Sequence, residues 1–249
     1  MNISIIIQAR TGSTRLPKKM VLPFYNGKSV LELLIEKLKA NFSIPIVLAT
    51  TVNPSDDAIE AIAKAHNILC FRGDENNVLK RFIDCATHHK IETVIRVCAD
   101  NPFLEVDFIK QLIEEYNSKS VNYISYSTAN AIPAMKTHFG LFAELVELNA
   151  LKKAAELTTE ALYTEHVTNY IYAHPETFTL KFIQIPTELA KYSIRLTLDT
   201  ATDFKNLEYI YDKLSKLNKE FSHQNILLLL KNEPNLLLLM KQEIENNSK

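Results

Sequence analysis

The chain has 249 residues, 47% hydrophobic and 23% charged, with a formal net charge of -1 at pH 7. Such a length and apolar content support a sizeable core. The near-zero charge excludes a broadly basic nucleic-acid binder but not a local cationic pocket. Three cysteines without ligand-like spacing, Cys70, Cys85 and Cys98, argue against a disulfide scaffold or a cysteine-based zinc site.

The opening residues, MNISIIIQAR, have no basic n-region and no small-residue cleavage site. Ile3 to Ile7 is a short β-branched run that ends in a polar loop with Gly12 and Pro17, the pattern of a buried strand. Ser29 to Leu38 has helical apolar spacing and a capping box of Ser29 with Glu32. Ile44 to Thr50 predicts a second strand, and Ser55 to Ala65 a helix whose opening acids, Asp56 and Asp57, suit its positive end. Ile68 to Phe71 and Thr93 to Val97 predict strands three and four, followed by helices over Asn77 to His89 and Val106 to Tyr116. Strand and helix alternate four times, which predicts an α/β fold: a mostly parallel sheet with helices on both faces.

After Val121 the rhythm changes. Strands are expected over Val121 to Ser127, Phe178 to Ile185 and Tyr192 to Leu198, with helices over Asn149 to Leu157, Glu160 to Tyr172 and Thr200 to Leu217. The Ser222 to Asn246 tail reads as helical around Pro234. Its most apolar part, Ile226 to Met240, is interrupted by Lys231, Asn232, Glu233 and Pro234, and falls short of the roughly 20 apolar residues needed to span a bilayer. No linker or repeat is visible, so residues 1–249 read as one domain, with 120–190 as a lid or subunit-contact insertion and 222–249 as a helical tail. The expectation is a soluble, cytoplasmic protein with no membrane or nucleic-acid partner.

Ligands of open parallel sheets bind beyond the carboxyl ends of the strands. Four loops meet that description: Gln8 to Lys19, Thr50 to Asn53, Arg72 to Asn76 and Cys98 to Phe103. The first carries Arg10, Arg15, Lys18 and Lys19 within ten residues, with Gly12, Ser13 and Thr14 among them. Bidentate arginines, point-charge lysines and exposed backbone N–H groups suit a polyphosphate, although the glycine spacing is neither a P-loop nor a dinucleotide fingerprint. The alternative is a solvated basic loop. Asp100 follows the fourth strand, where a carboxylate would face that loop or simply form a turn before Asn101-Pro102. Asp199 ends the segment Arg195 to Leu198; it is either a second acid at the site or an N-cap, with Thr200 and Asp203 able to close a capping box. Two such acids converging would suit one Mg²⁺, which prefers hard oxygen ligands together with substrate phosphates.

These segments resemble the cytidylyltransferases that make CMP-activated sugar acids, above all the spore-coat polysaccharide biosynthesis branch. Acylneuraminate and 3-deoxy-manno-octulosonate cytidylyltransferases are related. The resemblance spans about residues 3–215 and is strongest in IIQARTGSTRLPKK, residues 6–19; ATTVNPSDDAI, FRGDENNVLKRF, VIRVCADNP, EHVTNYI and IRLTLDTATDF support it. It implies a nucleotide-diphospho-sugar transferase-like fold and a homodimer. It also implies CTP and a sugar acid as substrates, with pyrophosphate as product. Ala9, Arg10, Gly12, Ser13, Arg15 and Lys19 would then hold the triphosphate, with Arg72, Gly73 and Arg81 near the nucleoside. Asp100 and Asp199 would hold Mg²⁺. Arg10, Lys19, Asp100 and Asp199 are the catalytic candidates, and Arg96, Glu144, Glu165, His166 and Arg195 the acceptor candidates.

The chain departs from the pattern at Lys18, where a glycine is usual, at Asn101, at Phe142 in place of an acid, and at Thr164 in place of an arginine. His166 also reads as a core histidine beside Val167 and Tyr170. Two further readings stand beside the enzyme: a nucleotide or CMP-sugar binding module without turnover, and a glycosyltransferase using a nucleotide-sugar donor.

Overall fold

In the computed structural model, residues 2–117 and 121–247 are described. Ile3–Gln8 (β1) has branched apolar side chains on both faces, so it lies deep in a sheet: Ile5 and Ile7 enter one core and Ile6 the other. A hairpin of Pro23–Tyr25 (β2) and Lys28–Ser29 (β3) leads into Val30–Asn41 (α1), whose Ser29–Glu32 capping box forms as the sequence predicts. Next come Ile46–Thr51 (β4), a 3-10 turn at Pro54–Asp56, Asp57–Ala65 (α2), Leu69–Gly73 (β5) and Val78–His88 (α3). Thr93–Cys98 (β6), Val106–Asn117 (α4), Tyr123–Ser127 (β7), Glu144–Glu147 (β8) and Leu148–Leu157 (α5) follow. Ala161–Glu165 (α6), Asn169–Ala173 (α7), Leu180–Gln184 (β9), Ala201–Lys216 (α8), His223–Lys231 (α9) and Pro234–Asn246 (α10) complete the chain.

The main sheet runs β5-β4-β1-β6-β8-β7-β9. All its strands are parallel except β8, which is antiparallel to both neighbours. One face buries Ile5, Leu48, Ile95 and Leu145 beneath α1, α2, α4 and α8–α10. The other buries Ile6, Val47, Val94 and Val146 beneath α3, α5 and α7. The carboxyl ends of β1, β4, β5 and β6 therefore open on one edge, where the four expected loops gather.

Three expectations need correction. The strand predicted over Tyr192 to Leu198 is an extended segment outside the sheet: Leu196 N–H donates to His138 O and Leu198 N–H to Asp100 O, both at 2.8 Å, so its backbone is satisfied by two loops rather than one ladder. The apolar residues Ile194, Leu196 and Leu198 alternate with polar ones, which gives the period-two signature of a strand, although Arg195 and Thr197 are buried as well. The helix predicted over Glu160 to Tyr172 is two short helices, α6 and α7, broken where Val167 and Thr168 turn into the core and the Thr168 hydroxyl donates to Glu144 Oε1 at 2.8 Å. Finally, the described part of the segment read as an insertion supplies β7, β8 and β9 to the same sheet; residue 120 lies outside the described residues. β8 is a strand that the sequence pattern does not predict. The tail is helical on both sides of the Pro234 break, as read; residues 248–249 of it lie outside the described residues. Among the described residues, no helix is long and apolar enough to cross a membrane.

Candidate active site

The loop after β1 is tied down by an acid from another strand's exit. Asp56 is buried and accepts five hydrogen bonds. Its Oδ1 takes Thr11 N (2.8 Å) and Thr11 Oγ1 (2.6 Å), and its Oδ2 takes Thr50 Oγ1 (2.9 Å), Thr51 Oγ1 (2.6 Å) and Thr51 N (3.2 Å). Burial works against its charge, but these donors hold the carboxyl below its usual pKa. The sequence offered Asp56 only as a helix-opening acid; its bonds to Thr11 are long-range and leave no local signal. Thr11 O in turn accepts from Ser13 N (2.8 Å) and Lys18 N (3.0 Å), which curls the loop. Lys18 has φ +59°, the left-handed conformation for which the usual glycine is suited.

Lys19 closes the loop over the exits of β6 and the Tyr192–Leu198 segment. Its Nζ donates to Leu198 O (2.5 Å), Asp199 Oδ1 (3.2 Å) and Asp100 Oδ2 (3.3 Å). Burial alone would lower its pKa, but the two carboxylates outweigh that and raise it, so the ammonium is firmly charged. Two acids about a hundred residues apart in sequence thus meet at one cation. Arg15 Nη2 lies 3.2 Å from the same Asp199 oxygen. The other oxygen, Asp199 Oδ2, accepts from Arg195 Nη2 (3.0 Å). Arg195 is buried and also grips both oxygens of Asp203 (2.7 and 2.9 Å) and His138 Nδ1 (2.6 Å). Asp203 accepts from Asp199 N and Thr200 N, both at 2.9 Å, while Thr200 caps α8. The expected capping box therefore coexists with a site role for Asp199 rather than replacing it. Arg195, read as an acceptor ligand, lies behind Asp199 instead.

On the other side of the loop, Arg10 faces Glu165 at 3.8 Å across a cleft of about 480 Å³, whose walls include Asp74, Asn77, Thr159 and Thr164. Arg81 is wholly buried behind it. Its Nη1 donates to Asp74 O (2.5 Å) while Nε and Nη2 have no hydrogen-bond partner among the described residues, and burial together with the nearby Arg10 lowers its pKa. Gly73 packs on Arg81: a Cβ there would lie 2.9 Å from Arg81 Cγ. Arg72 points away, to Asp57 and Glu60 (both 2.7 Å), Thr51 O (2.9 Å) and Asn53 O (2.7 Å), and so clamps α2 to the sheet. Ala9 is buried beneath the loop, whereas Gly12 is exposed on it.

Arg96 and Glu144, read as acceptor residues, form a buried ion pair across the β6–β8 register. Gln8 Oε1 accepts from Arg96 Nη2 (3.0 Å), and the Tyr123 and Thr168 hydroxyls donate to Glu144. The pair thus braces the sheet beneath the site. Phe142 is core, stacked on Phe108 with ring centres 4.7 Å apart. His166 is exposed between α6 and α7, which corrects its core reading.

Known proteins resemble this whole arrangement, not the loop alone. The chain is 36% identical over 206 residues to the uncharacterized protein MJ1063 of Methanocaldococcus jannaschii, covering 82% of this chain and 81% of that one. It is 29% identical to the spore coat polysaccharide biosynthesis protein SpsF of Bacillus subtilis, covering 94% and 95%. A 3-deoxy-manno-octulosonate cytidylyltransferase of Actinobacillus pleuropneumoniae matches at 27% identity over 66% of this chain and 62% of its own length. The solved structure of a cytidylyltransferase from Leptospira borgpetersenii superposes with a TM-score of 0.82 at 29% identity, covering 95% of this chain and 97% of that one. The Cytidylyltransferase family model matches residues 4–234, which include the cationic loop and both site aspartates; the chain belongs to the cytidylyltransferase family.

Proposed function

We propose that the protein transfers CMP from CTP to a hydroxyl of a sugar acid of the ulosonic type, releasing pyrophosphate, in the synthesis of a surface polysaccharide precursor. The observation that carries this reading is the meeting of Asp100 and Asp199 at the Lys19 ammonium, beside Arg15 and the Thr11–Lys19 loop. The names of the relatives support the substrate class. In this reaction the acceptor oxygen forms a bond to the α-phosphorus, and the bond from that phosphorus to the bridging oxygen breaks. The pair of electrons leaves on pyrophosphate, and the hydroxyl proton passes to solvent.

Such a transfer depends on positioning and on charge stabilisation. Lys19, Arg15 and the loop N–H groups would hold the β- and γ-phosphates and steady the leaving group. Arg10 lies where the cleft meets the loop and would hold phosphate from the other side. Arg195 and Asp203 keep Asp199 in place.

Asp100 and Asp199 would hold a Mg²⁺ ion through hard carboxylate oxygens, in exchange for the Lys19 ammonium that lies against both of them. Among the described residues no three His, Cys, Asp or Glu side chains gather to hold a metal, so phosphate oxygens would complete its shell. When bound, the ion would neutralise phosphate charge and help acidify the acceptor hydroxyl. A cytoplasmic homodimer belongs to the same reading.

The test is pyrophosphate release by the full chain with CTP, Mg²⁺ and a panel of ulosonic acids. Release with at least one acid, and preference for CTP over other nucleoside triphosphates, is expected. CTP binding without release for any acid would overturn the reading.

A further inference from the structure

The C-terminal helix reaches the phosphate loop, although most of it lies beyond residues 4–234 that match the family. α10 packs on α8 and α9 through buried Leu236 and Met240. Its C-terminal end, Glu243 and the capping residue Asn247, then touches the site twice. Arg15 Nη1 donates to Asn247 Oδ1 at 3.2 Å, while Arg15 Nη2 faces Asp199. Thr200, the residue after Asp199 and the cap of α8, donates its hydroxyl to Glu243 Oε2 at 2.8 Å. Glu243 also joins the two contacts: Asn247 Nδ2 donates to its backbone O (3.1 Å) and to its carboxylate (3.3 Å).

Arg15 is half-exposed on a long flexible stem, so without a second contact its guanidinium would sample many orientations. Asn247 offers a neutral acceptor. It orients the guanidinium and leaves its positive charge available to an anion, as an aspartate there would not.

We propose that the C-terminal end of α10 completes the triphosphate site, with Asn247, the residue that follows the helix, as a positioning residue for Arg15 and Glu243 as the brace that fixes both Asn247 and the Thr200 cap. This deepens the reading of the chain as a CTP-using enzyme and rests on it.

The test measures binding of CTP and of inorganic triphosphate to the full-length protein by calorimetry, with steady-state kinetics and thermal midpoints alongside. Asn247→Ala should weaken CTP binding by about three- to tenfold, the worth of an ordinary, solvent-exposed hydrogen bond. KM for CTP should rise more than kcat falls, and the thermal midpoint should stay near that of the wild type. Asn247→Asp should weaken binding further than Asn247→Ala, because it neutralises Arg15 and repels the phosphates. Glu243→Gln should shift binding in the same direction by less. If the Asn247 variants bind CTP and triphosphate as the wild type does, the role of α10 is overturned while the CTP reading stands. If the wild type binds neither ligand, both fall together.

Discussion

At the residue scale, the site is a balance of fixed charges. Lys19 lies against both Asp100 and Asp199, and Arg15 supplies a second positive charge beside Asp199. Asp100 is the more exposed acid and has fewer protein partners, so it is the better probe of charge development during transfer. Asp100→Asn is expected to lower kcat on the order of 10²-fold while changing CTP affinity much less. Equal losses in both, measured by steady-state kinetics and calorimetry, would show that Asp100 acts in binding alone. Asp56 sits one layer back. Asp56→Ala strands the Thr11, Thr50 and Thr51 donors, which should cost about 2 kcal/mol of stability and weaken triphosphate binding by loosening the loop. Thermal unfolding together with a CTP titration checks both effects; a loss of stability with unchanged affinity would separate Asp56 from the site.

At the element scale, buried polar contacts decide where whole helices lie. Glu144 on β8 draws in Thr168 at the start of α7, which breaks the predicted long helix and leaves Glu165 facing Arg10 across the cleft. The tail is seated in a similar way. His223 at the start of α9 stacks on Phe108 and pairs with Glu105 (2.9 Å) and Glu188 (3.5 Å), while Lys37 donates to Pro102 O and Leu104 O beside Glu105. Burial would lower the His223 pKa, but the two glutamates outweigh it and raise it. A raised folded-state pKa means that this contribution is fully present below the unfolded value near 6.5 and is lost as pH rises through the higher folded value. The wild type should therefore exceed His223→Gln in stability by more at pH 6 than at pH 9. Denaturant titrations at both values measure it, and a pH-independent gap would remove the ionic part of the anchor. Lys37, whose pKa burial lowers to about 8 against the pull of Glu105, titrates in the same range and shares Glu105 with His223, so the two proteins are compared at each pH.

At the scale of the whole molecule, the sheet serves as the frame that brings distant loops to one edge. A ligand that binds only the folded state raises stability in proportion to the logarithm of its excess over Kd, about 2.7 kcal/mol at a hundredfold excess. CTP with Mg²⁺ should accordingly raise the thermal midpoint, and more than CTP alone; no difference between them would count against a shared ion at Asp100 and Asp199. Sedimentation should report a mass twice that of the chain, and a monomer at micromolar concentration would remove the homodimer from the proposal. The frame was legible in its first half, where β-branched runs and amphipathic helices alternate and every predicted strand from Ile3 to Val97 forms. It was less legible after Tyr123. There β8 is only Glu144–Glu147 with a buried acid in it, and the Tyr192–Leu198 segment alternates like a strand without pairing as one.

The linear order of residues determined the chemistry available: a cationic loop behind an opening strand, two aspartates at later chain exits, and a signature specific enough to indicate the family. These are local features, set by side-chain type and short-range periodicity. Tertiary structure alone decided which groups meet. It placed Lys19 between Asp100 and Asp199, turned Asp56 into the anchor of the loop, committed Arg72 and Arg96 to ion pairs that hold the scaffold, and carried Asn247 back to Arg15. The reason is physical: a hydrogen bond between residues 45 or 232 positions apart depends on how two packed layers close, and it leaves no periodic trace in the chain.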